Sequence, residues 1–538
     1  MSLTIFYFKN AIKINKLYKT RYQFLDLSRS HHFLYFVHFT KNSLSKSRFF
    51  LTFRQVIVVL QFHQEYNISM KNIIGRKEEC ERLDECMESN NSQLIIVYGR
   101  RRVGKTYLIN EYFNYEFAYK LTGAYGVKKE LQLRTFINEL NRKVDTKYDV
   151  PKDWIDAFDR LRDYLDSLST DKKHVIFFDE MPWLDTKKSG FLEAFEWFWN
   201  GYASTKKNLI CIVCGSATSW MDDKIANNKG GLFNRQTCKL YLKPFKLYEV
   251  KEYLESRNIH WSLYDIACTY MILGGIPYYL SLLKSKLSYN QNIDNLFFKE
   301  NGELFDEFDH LYKTLFTNSE NYIKVVEALN SKRSGLNRKE ISNKTKIEEN
   351  GTLTKILKNL ELSGFIKSSN FYKNKKKETV YQLSDYYTAF YLKFIKDNYG
   401  KDEHYWINSI DDPSRRTWFG LTFENVCRDH ISQIKHKLGI SGVLSNEYVW
   451  NNGEAQIDLL IERRDMVINL CEIKFSVNEF EIDSKYDMEI RNKMEAFRKA
   501  VNYKKSIQII MITTYGLKKS KYNSLITNEV TLDDLFHI

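Results

Sequence analysis

A short apolar run followed by a glycine-bracketed loop constrains the fold of this chain more than any other segment. Residues 93–106 read QLIIVYGRRRVGKT. The run Leu94–Tyr98 predicts a buried strand, and the letters after it satisfy the pattern G-x-x-x-x-G-K-[ST] in full. The segment TYLINEYF, which follows, favours a helix. The first prediction is therefore a phosphate-binding loop between a strand and a helix.

The residue types in this loop are those that a bound triphosphate requires. Gly99 and Gly104 let the backbone curl so that its N–H groups face phosphate oxygens. Lys105 would reach the β- and γ-phosphates, and Thr106 would offer its hydroxyl to Mg²⁺. The N-terminus of the helix adds its positive dipole. We therefore predict ATP and Mg²⁺ as cofactors.

A second apolar segment ends in two acidic residues. Residues 174–180 read HVIFFDE, which is the Walker B arrangement. Asp179 would hold Mg²⁺, and Glu180 would orient and deprotonate the attacking water. The next predicted strand leads to Ser216, a candidate sensor of the γ-phosphate with Ser219 behind it. A simple turn with a helix cap explains that segment equally well.

One arginine is a candidate for stabilising the transition state. Arg235 precedes the predicted strand Cys238–Leu242 and would act as an arginine finger, or it is an ordinary surface residue. A finger that acts in a neighbouring subunit requires a homo-oligomer. The catalytic residues predicted for ATP hydrolysis are thus Glu180, Lys105 and Arg235. The predicted nucleotide contacts are Gly99, Arg100, Arg101, Arg102, Val103, Gly104, Lys105, Thr106, Tyr107, Asp179 and Ser216.

Six segments together resemble one protein family: IIGRKEECERL, GRRRVGKT, FFDEMPWL, CGSATSWM, LFNR with LKPF, and GGIPYYL. They resemble the archaeal-type AAA ATPases, which are similar to the STAND-like branch of AAA+ proteins, over about residues 72–320. The resemblance implies a parallel P-loop sheet with the phosphate loop at the C-terminal edge of its first strand. It also implies a helical lid, which would contain Pro277, and ATP hydrolysis.

Residues 320–385 have the order helix, helix, helix and hairpin, which is typical of a winged helix. Asn337 is the predicted N-cap of a helix over Arg338–Thr345. A winged helix puts its third helix in the major groove and its basic wing, here Lys373–Lys377, on phosphates. Packing, or docking of a protein partner, is an equally good interpretation of this module. The candidate DNA contacts on the third helix are Thr352, Thr354, Lys355, Lys358 and Asn359.

A further constellation combines acidic residues and a lysine near the C-terminus. Asp458 lies in a predicted strand, and Glu472 and Lys474 are two apart in the next one, so they share a face. Glu424, on a predicted helix over residues 417–432, would complete the group. Its three carboxylates, Glu424, Asp458 and Glu472, would hold Mg²⁺ or Mn²⁺, and Lys474 would stabilise charge on a phosphate.

The pattern D-x13-E-x-K resembles the PD-(D/E)XK nuclease superfamily over about residues 415–515, although no Pro-Asp precedes the strand. The resemblance implies a restriction-endonuclease-like α/β domain and metal-dependent DNA cleavage, with Lys474 as a catalytic residue. The alternative is a nuclease-like fold that has lost catalysis and only docks nucleic acid or a protein.

The net positive charge of the chain is weak evidence for DNA binding, because most of it lies in one segment. The 538 residues carry a formal charge of +14, but the first 69 hold ten Lys or Arg and two acidic residues, so they supply eight of these charges. We interpret residues 1–69 as a non-native or disordered extension upstream of a working start at Met70; a basic membrane-surface or targeting arm is the alternative. The eight scattered cysteines complete no zinc site, which favours a reduced, cytoplasmic protein with no membrane partner.

The sequence therefore predicts a multidomain α/β protein that hydrolyses ATP and couples this to DNA binding and possible DNA cleavage. The alternatives are a STAND-like regulatory switch with an inactive C-terminal interaction module, and a motor or loader that does not cleave. The predicted segments are the extension, 1–69; a AAA+ core, 70–245; a helical lid, 246–318; a winged helix-turn-helix, 319–390; and a restriction-endonuclease-like domain, 391–538.

Overall fold

The computed structural model describes residues 73–216, 218–226, 231–232, 235–369, 372, 379–398, 402–501 and 504–537. The predicted extension over residues 1–69 and the predicted wing Lys373–Lys377 lie outside the described residues. None of the helices described is both long enough and apolar enough to cross a membrane.

Five strands form the first sheet: β1, Gln93–Gly99; β2, Tyr119–Thr122; β3, His174–Asp179; β4, Leu209–Gly215; and β5, Cys238–Leu242. All pairs are parallel, in the spatial order β2-β3-β4-β1-β5. Every residue of β3 and β4 is buried, which explains why these runs are apolar throughout instead of alternating. The expected parallel sheet is confirmed, and the phosphate loop follows the carboxyl end of β1.

Six helices accompany this sheet: α1, Lys77–Glu88; α2, Lys105–Tyr112; α3, Lys129–Asn141; α4, Trp154–Asp166; α5, Phe191–Gly201; and α6, Thr218–Trp220, which continues as a π-helix over Met221–Ala226. The core between α4 and α5 is aromatic. Phe158 stacks on Phe198 with ring centroids 4.9 Å apart, and Phe178 packs against Phe158 at 5.9 Å. Because Phe178 directly precedes Asp179, this core fixes the strand end that carries the predicted magnesium ligand.

Five helices occupy the segment predicted as a lid: α7, Leu247–Ser256; α8, Leu263–Leu273; α9, Pro277–Ser281; α10, Tyr289–Ile293; and α11, Glu307–Leu315. Pro277 starts α9, where a missing N–H leaves no hydrogen bond unmade. Gly275 has a φ of +59°, and a Cβ on it would lie 2.3 Å from the carbonyl oxygen of Phe245. Glycine is thus required where this segment approaches the end of the first sheet.

The middle segment combines three helices with a small sheet: α12, Ser319–Asn330; α13, Arg338–Thr345; α14, Gly351–Leu362; β6, Leu336–Asn337; β7, Ile366–Ser369; and β8, Val380–Leu383. The strands are antiparallel in the order β6-β8-β7. Asn337 caps α13 as predicted, since its Oδ1 accepts from the Glu340 N–H at 2.9 Å and the Glu340 carboxylate accepts from the Asn337 N–H at 2.8 Å. The predicted element order is present, and the winged-helix assignment stays a prediction.

The C-terminal half has five helices and a second five-stranded sheet: α15, Tyr386–Phe390; α16, Tyr405–Asn408; α17, Pro413–Asp429; α18, Ile431–Lys437; β9, Ser445–Asn451; β10, Gln456–Arg463; β11, Val467–Lys474; α19, Ser484–Val501; β12, Ser506–Thr513; and β13, Ile526–Thr531. The spatial order is β13-β12-β11-β10-β9. The pairs β9–β10 and β10–β11 are antiparallel, whereas β11–β12 and β12–β13 are parallel. The sheet is therefore mixed, and its nuclease-like assignment and the predicted domain boundaries stay predictions.

Candidate nucleotide site and C-terminal acidic cluster

The loop between β1 and α2 depends on two glycines for different reasons. Gly99 has a φ of +146°, and a Cβ on it would lie 2.4 Å from the carbonyl oxygen of Leu242, so only glycine lets β5 approach this closely. Gly104 has a φ of +87°, and no described atom lies within 4 Å of the position that its Cβ would take. The backbone at the N-terminus of α2 is therefore open to an anion, which the helix dipole favours.

Lys105 is held inside the loop by neutral acceptors. Its side chain is buried, and Nζ donates to the carbonyl oxygens of Gly99 and Arg100 at 3.1 and 2.9 Å. Burial lowers the pKa of Lys105. Because hydrogen bonds to charged oxygens are stronger than those to carbonyls, a phosphate would displace these two acceptors.

Asp179 ends β3 beside the first turn of α2. Thr106 Oγ1 lies 3.0 Å from both Asp179 carboxylate oxygens. Burial, and next the charge of Glu180, raise the pKa of Asp179. The Cys214 thiol also donates to Asp179, a contact that the sequence does not reveal because an apolar strand predicts only a buried cysteine. The Thr106 hydroxyl and the Asp179 carboxylate are hard oxygen ligands, so this pair fits Mg²⁺.

Glu180 is oriented by the neighbouring strand. Its backbone has a φ of +47°, in the left-handed region that non-glycine residues seldom adopt. Its carboxylate accepts from Ser216 N at 3.1 Å and from Ser216 Oγ at 2.8 Å. The structure thus brings Ser216 to the predicted catalytic base, and its role as a γ-phosphate sensor stays a prediction.

Two of the three loop arginines are paired with acidic residues from distant segments. Arg100 is buried and forms an ion pair with Asp385, and its guanidinium carbon lies 4.9 Å from the centre of the Phe365 ring. Arg102 donates from Nε and Nη2 to the Glu307 carboxylate at 2.5 and 2.7 Å. These carboxylates hold both side chains, so nucleotide contacts of Arg100 and Arg102 would be made by their backbone N–H groups.

Arg76 supports the loop and was not among the predicted site residues. Its Nη2 donates to the carbonyl oxygen of Val103 at 3.0 Å, and its Nη1 donates to that of Lys243 at 2.8 Å. Arg76 therefore joins the loop to the segment after β5. The available signal was its place in IIGRKEECERL, the first of the six segments that carry the resemblance.

Residues 73–283 match the model of a protein family described as an ATPase domain predominantly from Archaea. This chain belongs to that family of archaeal-type ATPases. The family implies nucleotide binding, and the open backbone at Gly104 with Lys105 behind it fits a phosphate chain.

Known relatives of the ATPase include two proteins of Methanocaldococcus jannaschii. One, an uncharacterized protein, is 29% identical over 394 residues, which cover 72% of this chain and 83% of the relative. The other, an uncharacterized ATP-binding protein, is 51% identical over 47 residues, which cover 9% of this chain and 76% of that protein. Among solved structures, the Walker-type ATPase of Pyrococcus abyssi has a TM-score of 0.43 and 19% identity, covering 60% of this chain and 96% of that one.

The remaining residues predicted for the ATPase site differ in exposure. Val103 is buried, whereas half of the Tyr107 surface is exposed. Arg235 is exposed in a turn, where its N–H donates to the carbonyl oxygen of Leu232 at 3.1 Å. Its role as an arginine finger, and the nucleotide contacts of Arg101 and Tyr107, stay predictions.

The face of α14 that would enter a DNA groove is partly covered by the ATPase core. Lys358 forms an ion pair with Asp223 at 2.7 Å, and Asn359 is buried and donates from Nδ2 to the Tyr322 hydroxyl at 2.8 Å. Asn359 is therefore not available as a DNA contact, because the core of the middle segment encloses it. Thr352 and Lys355, at the start of α14, are exposed.

The acidic cluster, Glu424, Asp458 and Glu472 with Lys474, is brought together as predicted. Neighbouring positions of the antiparallel strands β10 and β11 carry Asp458 and Glu472, and α17 supplies Glu424. Burial, and next the charge of Asp458, raise the pKa of Glu424 to about 7. The same two causes raise the pKa of Glu472.

Ion pairs, however, hold the carboxylates of this cluster. Glu424 accepts from Arg428 Nη2 at 3.0 Å, and Glu472 accepts from Lys493 Nζ at 2.7 Å. Asp458 Oδ2 accepts from the backbone N–H of Ile473 at 3.2 Å. Within the described part of the chain, no three His, Cys, Asp or Glu side chains are placed to hold one metal ion. The predicted metal site of Glu424, Asp458 and Glu472 is thus not formed in this arrangement, because cations already neutralise two of its members.

The partners of the acidic cluster were missed at the level of sequence. Arg428 lies four residues after Glu424 on α17, a spacing that predicts a helical ion pair and could have been recognised. Lys493 and Tyr486, whose hydroxyl donates to Glu472 at 3.2 Å, come from α19. No sequence spacing relates α19 to β11, so these two contacts required the tertiary structure.

Proposed function

We propose that this ATPase is a nucleotide-dependent switch that controls DNA binding by its middle and C-terminal segments. ATP would bind along Gly99–Thr106, and Thr106 and Asp179 would hold Mg²⁺, which neutralises phosphate charge when bound. Glu180 would deprotonate the attacking water. Ser216 would hold the Glu180 carboxylate in place during that step.

The buried ion pair between Arg100 and Asp385 is the observation that carries this proposal. Asp385 is also the N-cap of α15: its Oδ2 accepts from Thr388 N at 3.0 Å and from Thr388 Oγ1 at 2.6 Å. One carboxylate thus contacts the phosphate loop and begins the helix that leads into the C-terminal half. Because a buried charge is strongly destabilised when its partner leaves, movement of the loop around a nucleotide would move α15 with it.

A second ion pair connects the loop to the lid segment. Arg102 binds Glu307 of α11 through two hydrogen bonds, and the Tyr279 hydroxyl donates to the same carboxylate at 3.2 Å. The Arg102 guanidinium also lies 3.9 Å from the centre of the Tyr278 ring. Nucleotide binding at the loop would therefore act on two segments at once.

DNA as the controlled partner is supported by the middle segment. Its three helices and hairpin have the order of a winged helix, and Thr352 and Lys355 are exposed at the start of the third helix. Since the end of that helix packs on the ATPase core through Lys358 and Asp223, contact with DNA would use its first turn.

Metal-dependent DNA cleavage is a second candidate function. It is favoured because Asp458 lies close enough to Glu424 and Glu472 for its charge to raise the pKa of both. The ion pairs to Arg428 and Lys493 favour the regulatory alternative, in which DNA is bound and not cut. We choose the switch because these ion pairs leave the cluster closed to a metal in the arrangement described.

The test measures the affinity of the full-length protein for labelled DNA with ATP and with ADP. We expect the two affinities to differ by at least about fivefold, and Asp385→Asn to bring the difference within about twofold, because the loop no longer reaches α15. Asp309→Asn, which removes an exposed ion pair with Lys313 on α11, is the matched control and should keep the full difference.

Equal DNA affinity of the wild type in both nucleotides would contradict the switch. Thermal melting reports whether Asp385→Asn folds. If this variant does not fold, Glu307→Gln removes the ion pair with Arg102 instead, and Arg102 is less buried than Arg100. A plasmid-cleavage assay beside Asp458→Ala separates the second candidate, since metal-dependent cutting that this variant loses would show a nuclease.

A further inference from the structure

A cleft lies between the middle segment and the C-terminal sheet. Its volume is about 180 Å³, and its walls come from the end of α12, the segment after β8, the middle of α17, and the strands β9 and β10. The charged side chains that line it are those of Arg333, Asp385, Glu424 and Arg428. The cleft therefore borders the residue that binds Arg100 and a member of the acidic cluster.

The guanidinium groups in this cleft have unused hydrogen-bond donors. Arg333 reaches in from the exposed rim, and its Nη2 donates to Thr422 Oγ1 at a long 3.4 Å. Of the carboxylates in the described residues, none lies within ion-pair distance of Arg333. Arg428 binds Glu424 through Nη2, but its Nε is buried and has no partner among the described atoms.

Of the charged residues that line the cleft, all but Arg333 are in an ion pair. Arg100 already pairs with Asp385, and Glu424 pairs with Arg428. Arg333 is the remaining formal charge, and the carboxylate that attracts it, Glu424, is already bound by Arg428. A cation with free donors is stabilised by an anion, and planar guanidinium groups match the paired oxygens of phosphate.

We propose that this cleft binds a phosphate group of the DNA backbone, with Arg333 and Arg428 as its ligands. The inference rests on the proposed function, since it names where the controlled DNA is held. A phosphate that takes donors of Arg428 would compete with Glu424 for them, so DNA binding would loosen one ion pair of the acidic cluster. On the other wall, the same phosphate would lie near Asp385 and thus next to the contact with the phosphate loop.

The test is the affinity of the full-length protein for a labelled oligonucleotide, measured by fluorescence anisotropy over a range of salt concentrations. Arg333→Gln removes a cation that is in no ion pair, so the fold should persist. We expect affinity to fall about tenfold and the salt slope to fall by about one, as for the loss of one phosphate contact. Arg416→Gln, on the same helix as Arg428 and paired with the exposed Asp411, is the control and should bind as the wild type does.

Each outcome decides between the two proposals. If the wild type binds DNA and Arg333→Gln binds equally well, the cleft assignment fails and the switch stands. If the wild type binds no DNA with ATP or ADP, both fail. A third outcome is that the wild type binds deoxyadenosine monophosphate but not DNA, and that Arg333→Gln no longer binds the mononucleotide. The cleft would then be a site for small phosphates, and the DNA assignment would be overturned. A tenfold loss of affinity of Arg333→Gln for DNA, with no loss for the mononucleotide, supports the proposal.

Discussion

The nucleotide site and the acidic cluster both place carboxylates at or near strand ends, yet their partners are of opposite kinds. In the nucleotide site the partners are the neutral hydroxyls of Thr106 and Ser216. In the acidic cluster they are the cations of Arg428 and Lys493. A hydroxyl orients a carboxylate and leaves its negative charge available, whereas a cation neutralises it. The partner, more than the acidic residue, thus decides whether a carboxylate can hold a metal or accept a proton.

The origin of the partners differs in the same way. Thr106 follows the loop lysine directly, and Ser216 lies just beyond the strand next to β3. The cations come instead from helices that pack beside the second sheet. The nucleotide site is therefore assembled from one sheet edge, while the acidic cluster depends on how α17 and α19 are positioned.

The largest effect that tests this comparison is on ATP turnover. Glu180→Gln should lower the rate of phosphate release by about 10²- to 10⁴-fold, because it removes the proposed general base, and should leave ATP binding intact. Glu472→Gln removes a carboxylate from the acidic cluster and should leave turnover unchanged. Steady-state phosphate release and filter binding of labelled ATP measure both. Loss of turnover in Glu472→Gln would show that the acidic cluster also takes part in ATP hydrolysis.

A smaller effect is expected on stability and its dependence on pH. The pKa of Glu424 is about 7 in the folded protein against an ordinary value of 4.5, so the folded state binds a proton that the unfolded chain releases. Stability is therefore lost as the pH rises from about 4.5 to 7. Glu424→Gln should raise the free energy of unfolding at pH 8 by roughly 1–3 kcal/mol and change it little at pH 4.5.

Urea unfolding at the two pH values measures this effect. Glu495→Gln, which removes an exposed carboxylate paired with Lys499, is the control for the change in net charge. A variant that is less stable than the wild type at pH 8 would mean that the Arg428 ion pair outweighs the burial of Glu424. The acidic cluster would then be a stabilising feature and not a strained one.

Contacts between residues that are close in the sequence could be predicted from it, whereas contacts between distant residues could not. The strand, loop and helix around Gly99–Thr106 were predictable because consecutive residues determine them, as was the Asn337 cap, whose partner is three residues away. The closeness of Asp458 and Glu472 followed from two adjacent strands. The Arg100–Asp385 pair joins residues 285 apart, and no local pattern specifies it.

The smallest predicted effect concerns Ser216, where sequence and structure assign different roles. If Ser216 positions Glu180, Ser216→Ala should lower kcat about tenfold with little change in KM, as expected for the loss of a hydrogen bond to a charged group. Ser216→Thr, which keeps the hydroxyl, should recover most of the rate, and Ser219→Ala should behave as the wild type does. A rise in KM for ATP with little change in kcat would indicate that the Ser216 hydroxyl contacts the γ-phosphate instead of positioning Glu180.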